Sequence, residues 1–486
     1  MALLSFGLTA IAASKKPYPG GKQYIWRLTL RDKAGSPYSL DRPQRWLSNK
    51  SVERRRRQGL ALDSTDLPVS PMYVNRLRAE KGACVVGQSR WNNTVLVGST
   101  DTTILQRLAS QPFVTKAECV WISPDSVERV MKEWTYNSSF NPWDSVKSAY
   151  YGNGQEQIEM LNGHRLHARG YRGHGMTIAV LDGGFLNADR IPALERTRIA
   201  GTRNLVCPMG AIANKLTVYG TADDDAESAA LYRSTDHGTK VLSAMAADCP
   251  KVLVGTAPDA RYWLLRCEDR QTEQPVEEDY WAMAAELADS AGVDIINSSL
   301  GYNEYDRPHH HYRLRDLDGR SSLISRTASM LAGKGIILVN SAGNTGMGPW
   351  KKICVPADAH EILTVGALNS ERTSAPFSAV GPTQDGRTKP DVMALGSPAA
   401  LISGRGSIIH DMGTSFSSPI VCGLVACLWQ ALPNMSAIDI ICLIRKTADN
   451  HTTPDNVYGY GCPNFWQAFM VGKLEEAEQK LQHETK

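Results

Sequence analysis

Four short stretches carry side chains suited to hydrolytic chemistry. Asp182 closes the apolar run "MTIAVLD" and precedes two glycines, and His237 stands in "STDHGTKV". Asn344 lies in "ILVNSAGNTG", and Ser415 in "GTSFSSP", just ahead of the uncharged run "IVCGLVACLWQAL". A serine hydroxyl is a weak nucleophile until a base removes its proton. Histidine can be that base, and a carboxylate can orient it and balance its charge. A side-chain amide in a glycine-flanked loop offers an N–H donor to a developing oxyanion. Each residue alone also has a plainer reading. Asp at a strand end closes a loop, and Ser at a helix start caps it. A histidine at a helix N-terminus gains nothing from the dipole, so a structural role is less natural there. Taken together, in the order Asp, His, Ser, they form a set able to carry out acyl transfer.

Such a set needs a scaffold that ends its strands at one edge. From about Gly152, the apolar runs "TIAVLD", "YWLLR", "VDIINSSL", "GIILVNSAG" and "ILTVGAL" alternate with helix-like stretches such as "EEDYWAMAAELADSAG" and "SSLISRTASMLAGKG". Continuous apolar strands separated by helices predict an α/β domain whose parallel sheet is covered on both faces. Sites in such folds lie at the carboxyl ends of the strands. Pro419 reads as part of the first turn of the helix behind Ser415.

The texture before residue 152 is different. "QYIWRLTLR" alternates, with Tyr24, Trp26, Leu28 and Leu30 on one face, and predicts a half-buried antiparallel strand. An arginine-rich helical stretch follows, then strand-like "ACVVGQSRWNNTVLVGS", helical "TTILQRLASQPFV" and strand-like "KAECVWIS". The expected organisation is a leader over 1–14, a small α+β unit over 23–123 and a linker over 124–151. A catalytic domain over 152–472 and a charged helix over 473–486 complete it.

Bulk properties narrow the partners. The 486 residues are 42% hydrophobic and 21% charged, with a net charge of +3, so nothing global points to nucleic acid. The basic run Arg54 to Arg57 reads as one exposed helix face. The apolar leader, with Ala10 and Ala12 in an Ala-x-Ala pattern but no charged start, predicts export. The run from Ile420 to Leu432 is too short to cross a bilayer, so no membrane span is expected. None of the ten cysteines forms a C-x-x-C pair; several sit in apolar runs as small hydrophobes, and export would permit disulfides.

"AVLDGG", "DHGTKV", "SAGNTG" and "GTSFSSP" resemble the four signature blocks of subtilisin-like serine proteases, the subtilases; "NSSLGY" and "KPDVMALG" are similar to two further family segments. The Gly-x-Ser-x-Gly elbow of the α/β-hydrolases is absent, because position 417 is Ser. The resemblance implies a triad of Asp182, His237 and Ser415, an oxyanion donor at Asn344, and an N-terminal propeptide acting as chaperone and inhibitor. It also implies a specificity pocket walled by Ser299-Leu300-Gly301 and Ala342-Gly343-Asn344, with its floor near Cys354. Two departures matter. Lys240 stands where the family commonly has a second histidine, and the asparagine-rich loop of a tight calcium site is missing. No cofactor or metal site is therefore carried over, although a weak structural calcium at an unassigned place is allowed. Acidic "ADDDAE" reads as a solvated loop, and His309, His310 and His311 as an exposed loop beside the cleft. The expected protein is a monomeric, exported (periplasmic or extracellular), self-processing serine endopeptidase that binds peptide substrates and its own propeptide. The alternatives are a silent peptide-binding relative and a serine esterase.

Overall fold

The computed structural model describes residues 15–128, 146–214 and 230–484. In the N-terminal unit the alternating segments pair as strands. The elements are β1 (Tyr24–Leu30), α1 (Asn49–Arg57), α2 (Pro71–Arg78), β2 (Ala83–Ser89), β3 (Thr94–Ser99), α3 (Thr102–Ala109) and β4 (Val114–Ile122). The four strands form an antiparallel sheet in the order β2–β3–β1–β4. Ser48 caps α1 by accepting from Ser51 N, and Asp101 caps α3 by accepting from Thr103 N. Leu28 and Leu30 meet Val74, Leu77, Leu105 and Leu108 in a small apolar core. The other face is not left to water, as a half-buried strand would leave it. Ile25, Val86, Leu96 and Trp121 join a core of the second unit.

The second unit runs β5 (Thr177–Asp182), β6 (Arg198–Asn204), α4 (His237–Ala246), β7 (Arg261–Arg266), α5 (Val276–Ala291), β8 (Ile295–Ser298), β9 (Ile337–Ser341), β10 (Leu363–Asn369), β11 (Val392–Ser397), α6 (Thr414–Ala431), α7 (Ala437–Lys446) and α8 (Phe465–Glu484). Its seven strands are all parallel, in the order β11–β10–β9–β8–β5–β7–β6. Alternation along β5 feeds two cores: Ile178 and Val180 point to one face, Ala179 and Leu181 to the other. Helix α6 is long and apolar enough to span a bilayer by length and composition, and 94% of it is buried inside this fold.

Several expectations need correction. The stretch after Pro124 opens as a strand, since Ser126–Glu128 pairs antiparallel with Lys15–Pro17. The rest of the expected linker to residue 145, the leader and "ADDDAE" lie outside the described residues. The charged C-terminal stretch is no separate element: α8 begins at Phe465, and Phe465, Ala468 and Phe469 are buried in the core. All ten cysteines are free thiols.

The basic run is not the exposed helix face that its sequence suggests. Arg54 and Arg55 are each only 2% exposed, because α1 lies against α5 of the second unit. Both grip the fully buried Asp289, Arg54 through Nη2 and Arg55 through a fork at 2.8 and 2.9 Å. Arg90 adds a third guanidinium at 2.6 Å. Farther up α5, Arg27 forks onto Asp279 at 2.7 and 2.5 Å, while Glu286 accepts from Ser89 Oγ and from the backbone N–H groups of Arg90 and Trp91. Asp279, Glu286 and Asp289 recur at helical spacing and form an acidic stripe along α5.

Burial would raise the Asp289 pKa, but Arg54, Arg90 and Arg55 outweigh it and hold the carboxyl well below its usual range. Its contribution is therefore present above a pH of about 3.9 and is lost only as pH falls below that value. In the full chain carrying Ser415→Ala, Asp289→Ala is expected to cost about 3–5 kcal/mol, because the arginines stay buried without a counter-charge. Urea denaturation measures this. A loss under about 1 kcal/mol, the size of an exposed pair, would contradict it.

Candidate active site

Asp182 is the last residue of β5, at the carboxyl edge of the sheet, and is fully buried. Its Oδ1 accepts from Gly183 N at 2.8 Å. His237 opens α4, and its Nδ1 lies 3.0 and 2.9 Å from the two carboxylate oxygens of Asp182. Gly238 makes this approach feasible: a Cβ there would stand 2.4 Å from Gly184 O and 3.0 Å from Asp182 Cβ. Burial disfavours the imidazolium, but the Asp182 carboxylate outweighs it, and the His237 pKa lies above its ordinary value. The Phe416 ring lies beside the imidazole, tilted by 40° with centroids 5.7 Å apart.

Ser415 is the second residue of α6. Pro419 is not in the first turn, as its sequence context suggests, but inside the helix. Its missing N–H would have bonded to the carbonyl four residues back, that of Ser415. Ser299 fills that place, donating its hydroxyl to Ser415 O at 2.8 Å, and Ser415 Oγ donates in return to Ser299 O at 3.2 Å. Asn344 is anchored next door, its Oδ1 accepting from Thr414 N at 2.9 Å and Thr414 Oγ1 at 3.0 Å. With the carbonyl so engaged, the amide nitrogen lies against Gly413, where a Cβ would be 3.6 Å away. Fold and sequence thus bring Asp182, His237, Ser415 and Asn344 to one edge of the sheet.

The expected pocket residues also converge. A Cβ on Gly301 would stand 3.0 Å from Cys354 Cβ, and one on Gly343 would stand 2.9 Å from Cys354 Sγ. Cys354 therefore lies between the two glycine-bearing segments, tied to one by Cys354 N donating to Ala342 O at 3.1 Å. Leu300 and Ala342 are buried beside it. Burial pushes the Cys354 thiol up to about 12, so it is a steric group rather than a reactive one. Of the histidine run, His309 is exposed and His311 Nε2 engages Tyr305 O at 2.8 Å.

Two features escape sequence reasoning. One is Ser299 as a hydrogen-bond partner of Ser415; Pro419, read as interrupting a helix, was the available signal. The other is Glu268, whose carboxylate stands over Gly183, 2.6 Å from where a Cβ would be. Burial, reinforced by Asp182, pushes the Glu268 carboxyl up to about 7.

A parallel sheet that gathers an Asp–His pair and a helix-borne serine at its carboxyl edge defines a serine endopeptidase on an α/β scaffold. The family model described as "Subtilase family" matches residues 173–461, and the chain belongs to that family. A second model, "Peptidase S8 propeptide domain, Bacteroidota", matches residues 25–135, so the N-terminal unit is a propeptide domain. Subtilisin DY of Bacillus licheniformis is 24% identical over 297 residues, covering 60% of this chain and 90% of that protein. Bacillopeptidase F of Bacillus subtilis (strain 168) is 26% identical over 403 residues, 76% of this chain and 26% of the relative. Serine protease AprX of the same organism is 29% identical over 194 residues, 35% of this chain and 42% of the relative.

The raised His237 pKa gives a direct check. Because the folded value exceeds the ordinary one of about 6.5, the stability from the charged pair is full below 6.5 and is lost as pH rises through the folded value. NMR titration of the Ser415→Ala chain should place the His237 midpoint above 6.5, and Asp182→Asn should lower it, since burial then acts with less opposition. An unmoved midpoint would show that the two side chains are not coupled.

Proposed function

We propose that the protein is an exported zymogen that hydrolyses peptide bonds through an acyl-enzyme on Ser415. The observation that carries this reading is the double engagement of His237 Nδ1 by Asp182, beside the helix that presents Ser415. That arrangement leaves Nε2 as the ring nitrogen open to the serine. Rotation of the Ser415 hydroxyl from Ser299 O toward Nε2 would prepare the attack. His237 takes the proton as Oγ bonds to the scissile carbonyl carbon, then returns it to the leaving amine. Asp182 holds the tautomer and stabilises the imidazolium. The oxyanion meets the Asn344 amide and the Ser415 backbone N–H, which is free of intrahelical bonding at the start of α6. Water, deprotonated by the same histidine, then releases the acyl group.

The propeptide domain, held to α5 by its arginines, is the expected inhibitor, and the maturation cut is expected within 124–151. Ser415→Ala and His237→Ala should each abolish casein hydrolysis with circular dichroism unchanged, and the Ser415→Ala chain should keep its propeptide on N-terminal sequencing. For Asn344→Ala the expected loss in kcat is about 10²–10³ with KM little changed, the magnitude established for subtilisin's own oxyanion amide. Wild-type turnover in any of these variants, or turnover confined to short acyl esters, would overturn the reading.

For the residue before the scissile bond, the pocket between Ser299-Leu300-Gly301 and Ala342-Gly343-Asn344 has no charge on those walls to receive Lys or Arg. The Cys354 thiol shortens it, penalising large aromatic side chains by about 1–3 kcal/mol. Preference for Leu, Met or Ala is expected, with Cys354→Gly extending acceptance to Phe and Tyr. A peptide-library profile dominated by basic residues, or one unaltered in Cys354→Gly, would exclude this pocket.

A further inference from the structure

Past β7 the chain turns over the catalytic edge through residues 267–275 before entering α5. Three carboxylates converge there. One oxygen each from Glu268, Glu273 and Glu277 lies within 4.8 Å of the other two. Glu277 is fully buried. Its Oε1 accepts from Asp269 N at 3.2 Å, while its Oε2 has no hydrogen-bond partner among the described residues. A second buried polar group comes near them from another segment. Tyr302, 2% exposed and next to the pocket wall, has a buried hydroxyl that is also unpartnered, and it interacts electrostatically with all three glutamates. Among the described residues, no lysine or arginine comes within ion-pair distance of any of the three, and only Glu268 feels cationic groups farther off, His237, Arg270 and Arg266. Arg266, the near candidate, donates instead to Gly183 O and Asn204 Oδ1.

Buried carboxylate oxygens without donors are costly unless a cation meets them. Calcium–oxygen distances are about 2.3–2.6 Å, so one ion can touch oxygens nearly 5 Å apart. The donors are all oxygen, which selects a hard cation over zinc or copper. We propose that Glu268, Glu273 and Glu277, completed by the Tyr302 hydroxyl, form a binding site for one divalent cation of the calcium class.

The ion would clamp the turn that borders the Asp182–His237 pair. The same turn holds the end of the propeptide sheet: Trp121 Nε1 donates to Thr272 Oγ1 at 3.1 Å, and the Gln274 side chain pairs with Ile122 N and O at 2.9 Å each. Ion binding is therefore coupled to the order of a segment used by both propeptide and cleft.

The test uses the full chain carrying Ser415→Ala, stripped with EDTA, with terbium luminescence and calcium competition as readouts. Neither readout needs peptidase activity, so failure here is separate from failure of the proposed chemistry. One terbium per chain should bind at this site, be displaced by calcium, and slow hydrogen exchange in residues 267–275. Glu277→Gln and Glu273→Gln should each weaken binding at least about tenfold, as expected when ligand charge is removed from a calcium site. Tyr302→Phe should weaken it by less. Should buried Glu277→Gln fail to fold, the part-exposed Glu273→Gln decides alone. Absence of uptake at about 10 mM calcium, beyond the weakest extracellular sites, would overturn the proposal. Uptake undiminished in Glu273→Gln would do so as well, by placing the ion elsewhere.

Discussion

The arrangement of the site hangs on a carbonyl that its own helix cannot satisfy. An interior proline normally costs about 3 kcal/mol or more, through a lost hydrogen bond and a clash. Here the freed Ser415 carbonyl accepts a hydrogen bond from Ser299 Oγ, and Ser299 is itself set by Asn297, whose Nδ2 donates to it at 3.1 Å. Asn297 Oδ1 in turn accepts from Ser418 Oγ at 2.9 Å, closing a circuit between the end of β8 and the second turn of α6. The circuit fixes the register of the helix against the sheet. Tight packing prevents slippage farther along, since a Cβ on Gly423 would stand 2.0 Å from Thr256 Oγ1. A serine presented on such a helix is positioned by the core rather than by a loop.

The propeptide contact obeys a different logic. An extensive apolar face alone would be non-directional and would leave the docking register open. Helix α5 meets this with acidic side chains at Asp279, Glu286 and Asp289, each met by arginines or backbone donors from the propeptide domain. Desolvating such charges nearly cancels the gain from pairing them. What the stripe supplies is register: Arg27, Arg90 and the α1 arginines each fit one carboxylate, so the sheet can dock in one way. Trp121 and Ile25 then add apolar burial at the centre of that frame.

What the sequence revealed follows from how local its signals are. The places of Asp182, His237 and Asn344 in the fold were legible because each punctuates the end of an apolar run or the start of a helix in a parallel α/β layout. Ser415 was legible for the same reason, but the helix start was misplaced, and with it the meaning of Pro419. Arg54 and Arg55 show the opposite case. A basic helical face looks the same whether water or a buried aspartate receives it, and Asp289 is more than 200 positions away. Glu268, Glu273 and Glu277 carry no signal in the sequence, because a turn rather than a helical or strand period brings them together.

Strand order explains why the Asp–His pair forms at the end of β5 and not at another strand end. Proceeding from β5, the chain moves to one side through β6 and β7, then crosses to the other side at β8. β5 is therefore flanked by strands whose connections leave in opposite directions, the condition that opens a crevice at the carboxyl edge. β7 pairs with β5 as far as Asp182 and β8 as far as Leu181, and the Asp182 carboxylate is fully buried. Among the described residues its hydrogen-bond partners are delivered over the edge, the Gly183 N–H and the His237 imidazole. The helix carrying Ser415 closes the crevice from the β8 side, bound by Ser299 in the segment that follows that strand. Asp182 and His237 come from elements that precede the crossing and Ser415 from a helix that follows it, so the two arms of the sheet meet at one switch point.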